Sequence, residues 1–350
     1  MDNLVNPTLF FDSEDTAQKL VAGLPCAIRA LEALARTCDQ RVNAQLAAPG
    51  GWTRPDLIAQ EARRLMPHAK LSFVCGEDKA LREMSGFDAA ALAIGAPPPA
   101  CRMAGPYAAG AIAADIAALN RASRALVAQT GKPTDGFVSR WINRPISQFM
   151  TYWLLKLRWI RPIHATIAAG IVGVIMALCL FFGGSGGLIA GAILFQMASI
   201  IDGVDGEIAR ATRRSSKSGA SLDTATDAAT NFAFLGGIIV NQSLGGAVLY
   251  AKLGMAGLLM LAAGLALLGA VSIRRGGALS FDALKHDTRT ASSGVMTGFA
   301  RILSRDVYVL VLSALCVAGW VDVALGLFAG ITAMWLVTVI YMLLTAGAGE

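Results

Sequence analysis

Long apolar stretches separated by short charged segments occupy residues 160–346 of this 350-residue chain. Hydrophobic residues make up 55% of the sequence and charged residues 15%, a balance too apolar for an ordinary soluble domain. With a helix of ~20 residues as the length that crosses a bilayer, six membrane spans are predicted. They cover about residues 163–183, 187–209, 221–243, 247–272, 306–320 and 322–345. A mainly α-helical, polytopic membrane domain is therefore expected over residues 162–346.

The N-terminal part of the chain has a different character. Residues 1–135 carry most of the acidic side chains and are predicted to be water-soluble. Ala22–Arg36 has the periodicity of an amphipathic helix, Lys70–Cys75 that of a strand, and Leu92–Ile94 is a candidate for a further short strand. The sequence thus predicts a small soluble α/β domain ahead of the membrane domain.

The distribution of Lys and Arg among the predicted loops indicates the orientation in the membrane. The connections near 183–187, 242–247 and 319–322 contain neither residue. The opposite loops are basic and contain Arg213, Arg214, Lys217, Arg274, Arg275, Lys285, Arg289, Arg301 and Arg305. By the positive-inside rule the basic loops and both termini face the cytosol. The first residues lack a basic region followed by an apolar run, so no cleavable signal peptide is expected.

The segment 136–161 lies between the two predicted domains and is rich in aromatic and cationic residues. Trp141, Phe149 and Trp153 recur at helical spacing with other apolar residues, and several arginines and lysines lie among them. This pattern predicts an amphipathic helix in the headgroup plane of the membrane, with aromatic and cationic anchors. The alternative is an ordinary core helix of the soluble domain.

Four aspartates recur at fixed spacing within the apolar part of the chain. The motif reads D-x2-D-G-x2-A-R-x8-G-x3-D-x3-D and consists of Asp202, Asp205, Gly206, Ala209, Arg210, Gly219, Asp223 and Asp227. Residues three or four apart share a helix face, so two pairs of carboxylates are predicted on two helices. The polar residues 211–218 are expected to form the turn between those helices. Carboxylates gathered at a membrane edge require positive charge, and Mg²⁺ or Mn²⁺ is the cation expected with oxygen ligands.

This motif resembles the signature of the CDP-alcohol phosphotransferase family at every fixed position. The resemblance implies a homodimeric membrane enzyme that moves a substituted phosphate from a CDP-alcohol to a second alcohol and releases CMP. Residues 132–147 and 304–308 are similar to the branch that contains fused inositol-1-phosphate cytidylyltransferase/di-myo-inositol-phosphate-phosphate synthases. Ile163 departs from the family pattern, because many members have Asn at that position.

The motif residues receive individual roles from their chemistry and from the resemblance. Asp202, Asp205 and Asp223 are the predicted ligands of two divalent cations, and Asp227 is a further ligand or the general base. The resemblance favours Asp227 as the catalytic base. Residues expected to border the nucleotide are Gly206, Ala209, Arg210 and Gly219. Residues considered for an acceptor phosphate, with membrane topology as the alternative explanation, are Arg213, Arg214, Arg275 and Arg301.

Several alternatives remain open from the sequence. The donor is a polar CDP-alcohol such as CDP-inositol, acting on a polyol phosphate or lipid, or it is CDP-diacylglycerol. A transporter that uses intramembrane acids and a catalytically inactive membrane anchor are the alternatives from other classes. The N-terminal domain resembles a degenerate nucleotidyltransferase domain, and it lacks a glycine-rich phosphate loop. The scattered histidines and cysteines indicate no zinc site, and the basic loops indicate anionic lipid rather than nucleic acid.

Overall fold

The computed structural model describes residues 8–11, 13–37, 43–48, 50–75, 107–108, 116–133, 135–274 and 305–346. The chain forms two compact units, each assembled from segments that are distant in sequence. The first unit comprises Met1–Lys132, Ile146–Pro162 and Val204–Ser216. The second comprises Pro133–Pro145, Ile163–Gly203 and Lys217–Glu350. The predicted strand at 92–94 and the predicted site residues Arg275 and Arg301 lie outside the described residues.

A four-stranded parallel sheet forms the centre of the first unit, in the order β5-β4-β1-β6. The strands of this unit are β1 (Thr8–Phe10), β2 (Leu20–Val21), β3 (Leu24–Pro25), β4 (Asn43–Ala48), β5 (Lys70–Cys75) and β6 (Tyr107–Ala108). Its N-terminal helices are α1 (Glu14–Gln18), α2 (Cys26–Thr37), α3 (Asp56–Leu65) and α4 (Ile116–Ala128). Leu9 pairs with Leu46 across β1 and β4, and both are buried with Ile28 and Leu31 of α2. The predicted strand at 70–75 and the small sheet-containing region are confirmed.

The amphipathic helix predicted at 22–36 begins four residues later than expected. Ala22 and Gly23 have φ angles of +47° and +80° and form the turn of the β2–β3 hairpin. A Cβ atom on Gly23 would lie 2.7 Å from side-chain atoms of Leu155 and Thr212, so the close packing there also requires glycine. Residues 22–25, which the periodicity had assigned to the helix, therefore belong to the hairpin, and α2 starts at Cys26.

The remaining helices run through the C-terminal two-thirds of the chain. A π-helical turn at Ser139–Asn143 leads into α5 (Arg144–Leu154). The long helices that follow are α6 (Pro162–Phe182), α7 (Gly184–Ala211), α8 (Lys217–Leu244), α9 (Val248–Arg274), α10 (Arg305–Val317) and α11 (Val321–Ala346). In the second unit, the Phe195 and Phe234 rings stack with centroids 3.8 Å apart inside a core that includes Leu180, Leu312 and Leu325.

Among the described residues, four helices are long and apolar enough to cross a membrane. They are Pro162–Phe182, Gly184–Ala211, Val248–Leu267 and Val321–Tyr341. The helix α8 has 28 residues but carries Lys217, Asp223 and Asp227, and α10 has only 13 residues. The structure thus supports an integral membrane protein, while the count of six spans stays a prediction.

The turn between α6 and α7 is shorter than predicted, because only Gly183 separates the two helices. A Cβ atom on Gly183 would lie 2.5 Å from Cα of Gly187 and 2.6 Å from the carbonyl oxygen of Cys179, so a side chain has no room there. The Asn241 side chain of α8 donates hydrogen bonds to the carbonyl oxygens of Leu180 and Gly184, both at 2.9 Å. The buried amide thereby supplies a donor to Leu180, whose carbonyl is among the last four of α6 and has no donor within that helix.

The helix α5 buries its polar side and exposes its aromatic side. Ser147 and Thr151 are buried, whereas the Phe149 and Trp153 side chains are 64% and 52% exposed. Nζ of Lys156 lies 3.6 Å from the centroid of the Trp153 ring, a cation–π geometry. An exposed aromatic face beside cations suits the boundary between lipid and water. The interfacial location of α5 stays a prediction.

Candidate active site

The aspartate motif occupies two consecutive helices. Asp202 and Asp205 lie three residues apart in the C-terminal half of α7, and Asp223 and Asp227 lie four apart in the N-terminal half of α8. Each pair therefore shares one face of its own helix. The predicted turn is confirmed but is shorter than residues 211–218, because helical structure extends through Ala211 and resumes at Lys217.

The turn begins at Thr212, directly after the last residue of α7, Ala211. The backbone of Arg213 is left-handed, with φ +55°, and the N–H of Arg214 returns to the carbonyl oxygen of Ala209 at 2.8 Å. This geometry is typical of a helix C-terminus, although glycine is the usual residue in the left-handed position. Gly219 lies in the exposed first turn of α8.

The carboxylates of the motif are only partly accessible. Asp205 is 6% exposed, and Asp202, Asp223 and Asp227 are half-buried. The Oδ1 atom of Asp223 is buried and has no hydrogen-bond partner within the described part of the chain. A buried carboxylate oxygen without a partner is unfavourable, and a bound cation would relieve it.

The oxygen chemistry of these four side chains fits hard divalent cations such as Mg²⁺ or Mn²⁺. In the described ranges, no three His, Cys, Asp or Glu side chains already form a closed cluster of ligands. Assignment of Asp202, Asp205, Asp223 and Asp227 as metal ligands therefore stays a prediction, supported by the buried Oδ1 atom of Asp223.

The guanidinium of Arg210 lies against Gly206 within the motif. Its Nε donates a hydrogen bond to the carbonyl oxygen of Thr130 at 2.6 Å. A Cβ atom on Gly206 would lie 2.9 Å from Nη1 of Arg210, so a larger residue would displace the guanidinium. This contact gives Gly206 a structural purpose that the sequence did not reveal. Ala209 is half-buried in the same turn of α7, and nucleotide contacts by these residues stay a prediction.

Two arginines considered for acceptor binding form ion pairs with the N-terminal helices. Nη2 of Arg214 lies 2.6 Å from Oε1 of Glu61, and Nε of Arg213 lies 3.5 Å from Oε1 of Glu32. Arg213 is half exposed, so its pair is the weaker of the two. The acceptor-binding role of Arg213 and Arg214 stays a prediction. Besides acceptor binding and membrane topology, these ion pairs are a third explanation for the two basic residues.

Glu207 is a buried residue of the motif helix that the sequence analysis did not single out. Its side chain is completely buried, and its two carboxylate oxygens accept hydrogen bonds from Ser147 Oγ and Thr151 Oγ1, both at 2.6 Å. The sequence does contain one sign of this contact: Ser147 and Thr151 are four residues apart and therefore lie on the same, polar side of an amphipathic helix. Glu207 thereby attaches α5 to the turn of α7 that carries Asp205.

Further contacts within the second unit fix the motif helices. Nη1 of Arg144 approaches the carbonyl oxygen of Gly203 at 3.4 Å, and the same guanidinium forms an ion pair with Asp135 at 2.8 Å. On α8, the Asn231 side chain donates to the carbonyl oxygen of Asp227 and accepts from the Tyr308 hydroxyl, both at 2.7 Å. Tyr308 therefore ties α10 to α8 one turn beyond Asp227.

Comparison with known proteins identifies a family to which this chain is similar. The family model for CDP-alcohol phosphatidyltransferases matches residues 159–348. A bifunctional IPC transferase and DIPP synthase of Archaeoglobus fulgidus is 39% identical over 118 residues, which is 33% of this chain and 23% of that protein.

Two further relatives carry the same name. The Thermococcus kodakarensis protein is 39% identical over 118 residues, covering 33% of this chain and 26% of its own length. The Aquifex aeolicus protein is 36% identical over 107 residues, covering 31% and 24%. The matched region thus spans about a quarter of the length of these curated relatives. Because the family model covers more than half of the sequence, this chain belongs to the CDP-alcohol phosphatidyltransferase family.

Proposed function

We propose that this protein is a metal-dependent CDP-alcohol phosphotransferase. It would transfer a substituted phosphate from a CDP-alcohol to the hydroxyl of a second alcohol and release CMP. The observation that carries the proposal is the complete eight-residue motif on two consecutive helices of a family member. Its Asp223 has a buried oxygen that finds no hydrogen-bond partner among the described residues. Intramembrane transport is less well supported, because the chain carries the complete motif within a region that matches the phosphotransferase family.

In this reaction the acceptor hydroxyl oxygen attacks the phosphorus that bears the donor alcohol. The bond between that phosphorus and the bridging oxygen breaks, and CMP leaves with the electron pair. Two divalent cations held by Asp202, Asp205 and Asp223 would neutralise charge on the leaving phosphate. Asp227 would take the proton of the acceptor hydroxyl, since an ionised carboxylate within hydrogen-bond reach can act as a general base. Arg210 would direct the N–H groups of its planar guanidinium toward the nucleotide of the CDP-alcohol.

A polar donor is the preferred substrate class. The relatives matched over the membrane domain are named IPC transferase and DIPP synthase, which supports a CDP-inositol-like donor and a polyol-phosphate or lipid acceptor. The competing donor is CDP-diacylglycerol, which would give a phospholipid product. The basic loops favour an active site and termini on the cytosolic side, where soluble CDP-alcohols are present. A homodimer is proposed by family resemblance.

The N-terminal domain is proposed to lack cytidylyltransferase activity of its own. After β1 the chain enters α1, whose N-terminus is capped by Ser13: its Oγ accepts a hydrogen bond from the N–H of Thr16 at 3.2 Å. A helix N-terminus that binds phosphate needs free backbone N–H groups, and this side chain occupies one of them. Pyrophosphate release by the full chain from CTP and an inositol phosphate would contradict this part of the proposal.

The proposal is tested with the purified full chain in lipid nanodiscs containing Mg²⁺. Each of several CDP-alcohols is paired with polyol-phosphate and lipid acceptors, and CMP is measured. Release of CMP with a polar CDP-alcohol supports the preferred donor, whereas release with CDP-diacylglycerol alone assigns the lipid donor. Absence of CMP with every pair would reject phosphotransferase function.

A further inference from the structure

Arginines of the N-terminal domain bind the carbonyl groups at the end of the motif helix. Nη2 of Arg29, on α2, donates to the carbonyl oxygen of Ala211 at 2.7 Å. Arg64, on α3, donates from Nη2 to the carbonyl oxygen of Thr212 at 2.8 Å and from Nη1 to that of Arg213 at 3.0 Å. Three successive carbonyls that follow the motif sequence D-G-x2-A-R thus receive charged donors.

The contact is reciprocal, because the side chains of the same turn reach back to acids beside those arginines. Arg214 pairs with Glu61, which also binds Arg64 at 2.7 Å. Arg213 lies near Glu32, which binds Arg29 at 3.2 Å. The helices α2 and α3 therefore each contribute one Arg and one Glu at a spacing of three. The Arg binds the backbone of the turn, and the Glu binds its side chains.

Two physical reasons make this contact important for the geometry of the turn. The last carbonyls of a helix have no partner within the helix and form the negative end of its dipole, so cations stabilise them. Ala211 and Thr212 are 6% and 3% exposed, so water is largely excluded from their surroundings. The left-handed backbone of Arg213 is unusual for a residue other than glycine, and Arg64 binds the carbonyl of that residue.

We propose that the N-terminal domain positions the active-site turn through Arg29 and Arg64. This inference rests on the proposed function, in which α7 and α8 carry the reacting groups. The set of four residues Arg29, Glu32, Glu61 and Arg64, here called the turn clamp, fixes the end of α7. It thereby holds Asp205 and Arg210 in place and sets the point at which the chain turns toward α8. Arg29 and Arg64 are positioning residues, and Arg213 and Arg214 serve the clamp instead of binding acceptor phosphate.

Hydrogen–deuterium exchange of the full chain, without substrate, tests the clamp directly. The variants are Arg64→Ala, Arg64→Lys and the control Arg63→Ala, whose exposed side chain lies next to Arg64 on α3. Loss of two charge-assisted hydrogen bonds should speed exchange in residues 209–218 about tenfold in Arg64→Ala. Arg64→Lys should fall between wild type and Arg64→Ala, and Arg63→Ala should match wild type. Equal acceleration in α4 would show a general loss of stability and would overturn the proposal.

Steady-state CMP release separates positioning from acceptor binding. In Arg64→Ala and Arg214→Gln, kcat should fall about tenfold while KM for the acceptor stays within about twofold of wild type, because the clamp shapes the site without contacting substrate. A raised KM with unchanged kcat in Arg214→Gln would assign Arg214 to acceptor binding and contradict the clamp. If the wild-type protein releases no CMP with any donor, the proposed function fails, and the exchange measurement still decides the clamp.

Discussion

The hydroxyl oxygen of Ser147 lies 2.6 Å from Oε1 of Glu207, in a completely buried contact between α5 and the motif helix. Thr151 makes the same contact with the other carboxylate oxygen at 2.6 Å. A helix with an exposed aromatic face is thus joined by its polar face to the helix turn that carries Asp205. One buried contact thus links the exposed aromatic surface of α5 to the helix turn of the predicted metal ligand Asp205.

The contact between Glu207 and its two hydroxyls should contribute to both stability and activity. Replacement Glu207→Leu removes the carboxylate that accepts from two buried hydroxyls, which costs about 1–3 kcal/mol of folding free energy. We expect a lower thermal midpoint and reduced CMP release, measured on the full chain in nanodiscs. Ser72→Ala, which removes an exposed hydroxyl from β5, is the control and should match wild type in both measurements. An unchanged midpoint in Glu207→Leu would contradict the stabilising role.

Activity should depend on divalent cations and on Asp223. Asp223→Asn keeps the shape of the side chain but removes the charge expected to bind metal, so CMP release should fall at least about a hundredfold with little change in the thermal midpoint. Addition of excess EDTA to wild type should give the same loss, and Mg²⁺ or Mn²⁺ should restore it. Asp56→Asn, an exposed carboxylate on α3, serves as the control. Normal turnover by the Asp223→Asn variant would show that Asp223 is not a metal ligand.

The basic turn after α7 should face the cytosol. In a background without native cysteines, single cysteines at Ser185 and Ser243 should react with an impermeant maleimide added to intact cells. A cysteine at Ser216 should react only after permeabilisation. All three positions are exposed in the structure, so a difference in labelling reports the side of the membrane and not burial. The reverse pattern would place the motif on the face away from soluble CDP-alcohols.

Acid should destabilise the N-terminal domain partly through Glu14. Partial burial would raise the pKa of this carboxyl, but hydrogen bonds from the N–H groups of Thr53 and Arg54 and from Gln18 outweigh it, and the pKa is lowered. A lowered folded-state pKa contributes stability above the unfolded value near 4.5, which is lost as the pH falls through the folded value.

Denaturant unfolding of the full chain, followed by tryptophan fluorescence from about pH 7 to about pH 3, measures this contribution. Glu14→Gln should reduce the acid-induced loss of stability. Asp15→Asn, which changes the exposed neighbouring acid in α1, should leave the loss unchanged. Equal acid sensitivity in wild type and Glu14→Gln would show that another group is responsible.

Local sequence patterns predicted the features that depend on near neighbours in the chain. The apolar periods of α6, α7, α9 and α11 gave helix positions close to those observed, and the motif spacing placed Asp202 and Asp205 on one helix. The strand at 70–75 followed from its own composition. Differences of three and four residues arose at turns, where the close packing around Gly183 and the hairpin at Gly23 set the helix ends.

Contacts between distant segments were not predictable from the same patterns. Arg64 binds carbonyl groups that lie 148 and 149 residues further along the chain, and nothing in α3 distinguishes Arg64 from exposed Arg63 before the fold is known. Glu207 falls at a variable position of the motif, so its pairing with Ser147 and Thr151 required the placement of α5. The ion pairs of Arg213 and Arg214 were also not predictable from the sequence. Membrane topology alone already explains a basic loop, so nothing in the sequence indicated acidic partners.

The exposed aromatic face of α5 has a practical consequence for the isolated N-terminal domain. Phe149, Trp153 and Leu157 belong to the same compact unit as the parallel sheet, yet each side chain is more than 40% exposed. In aqueous buffer this surface would self-associate, since contiguous apolar patches are a common cause of aggregation. A fragment cut away from the long helices but retaining α5 would therefore need a surfactant to remain monodisperse, although most of its residues come from a sequence that reads as water-soluble.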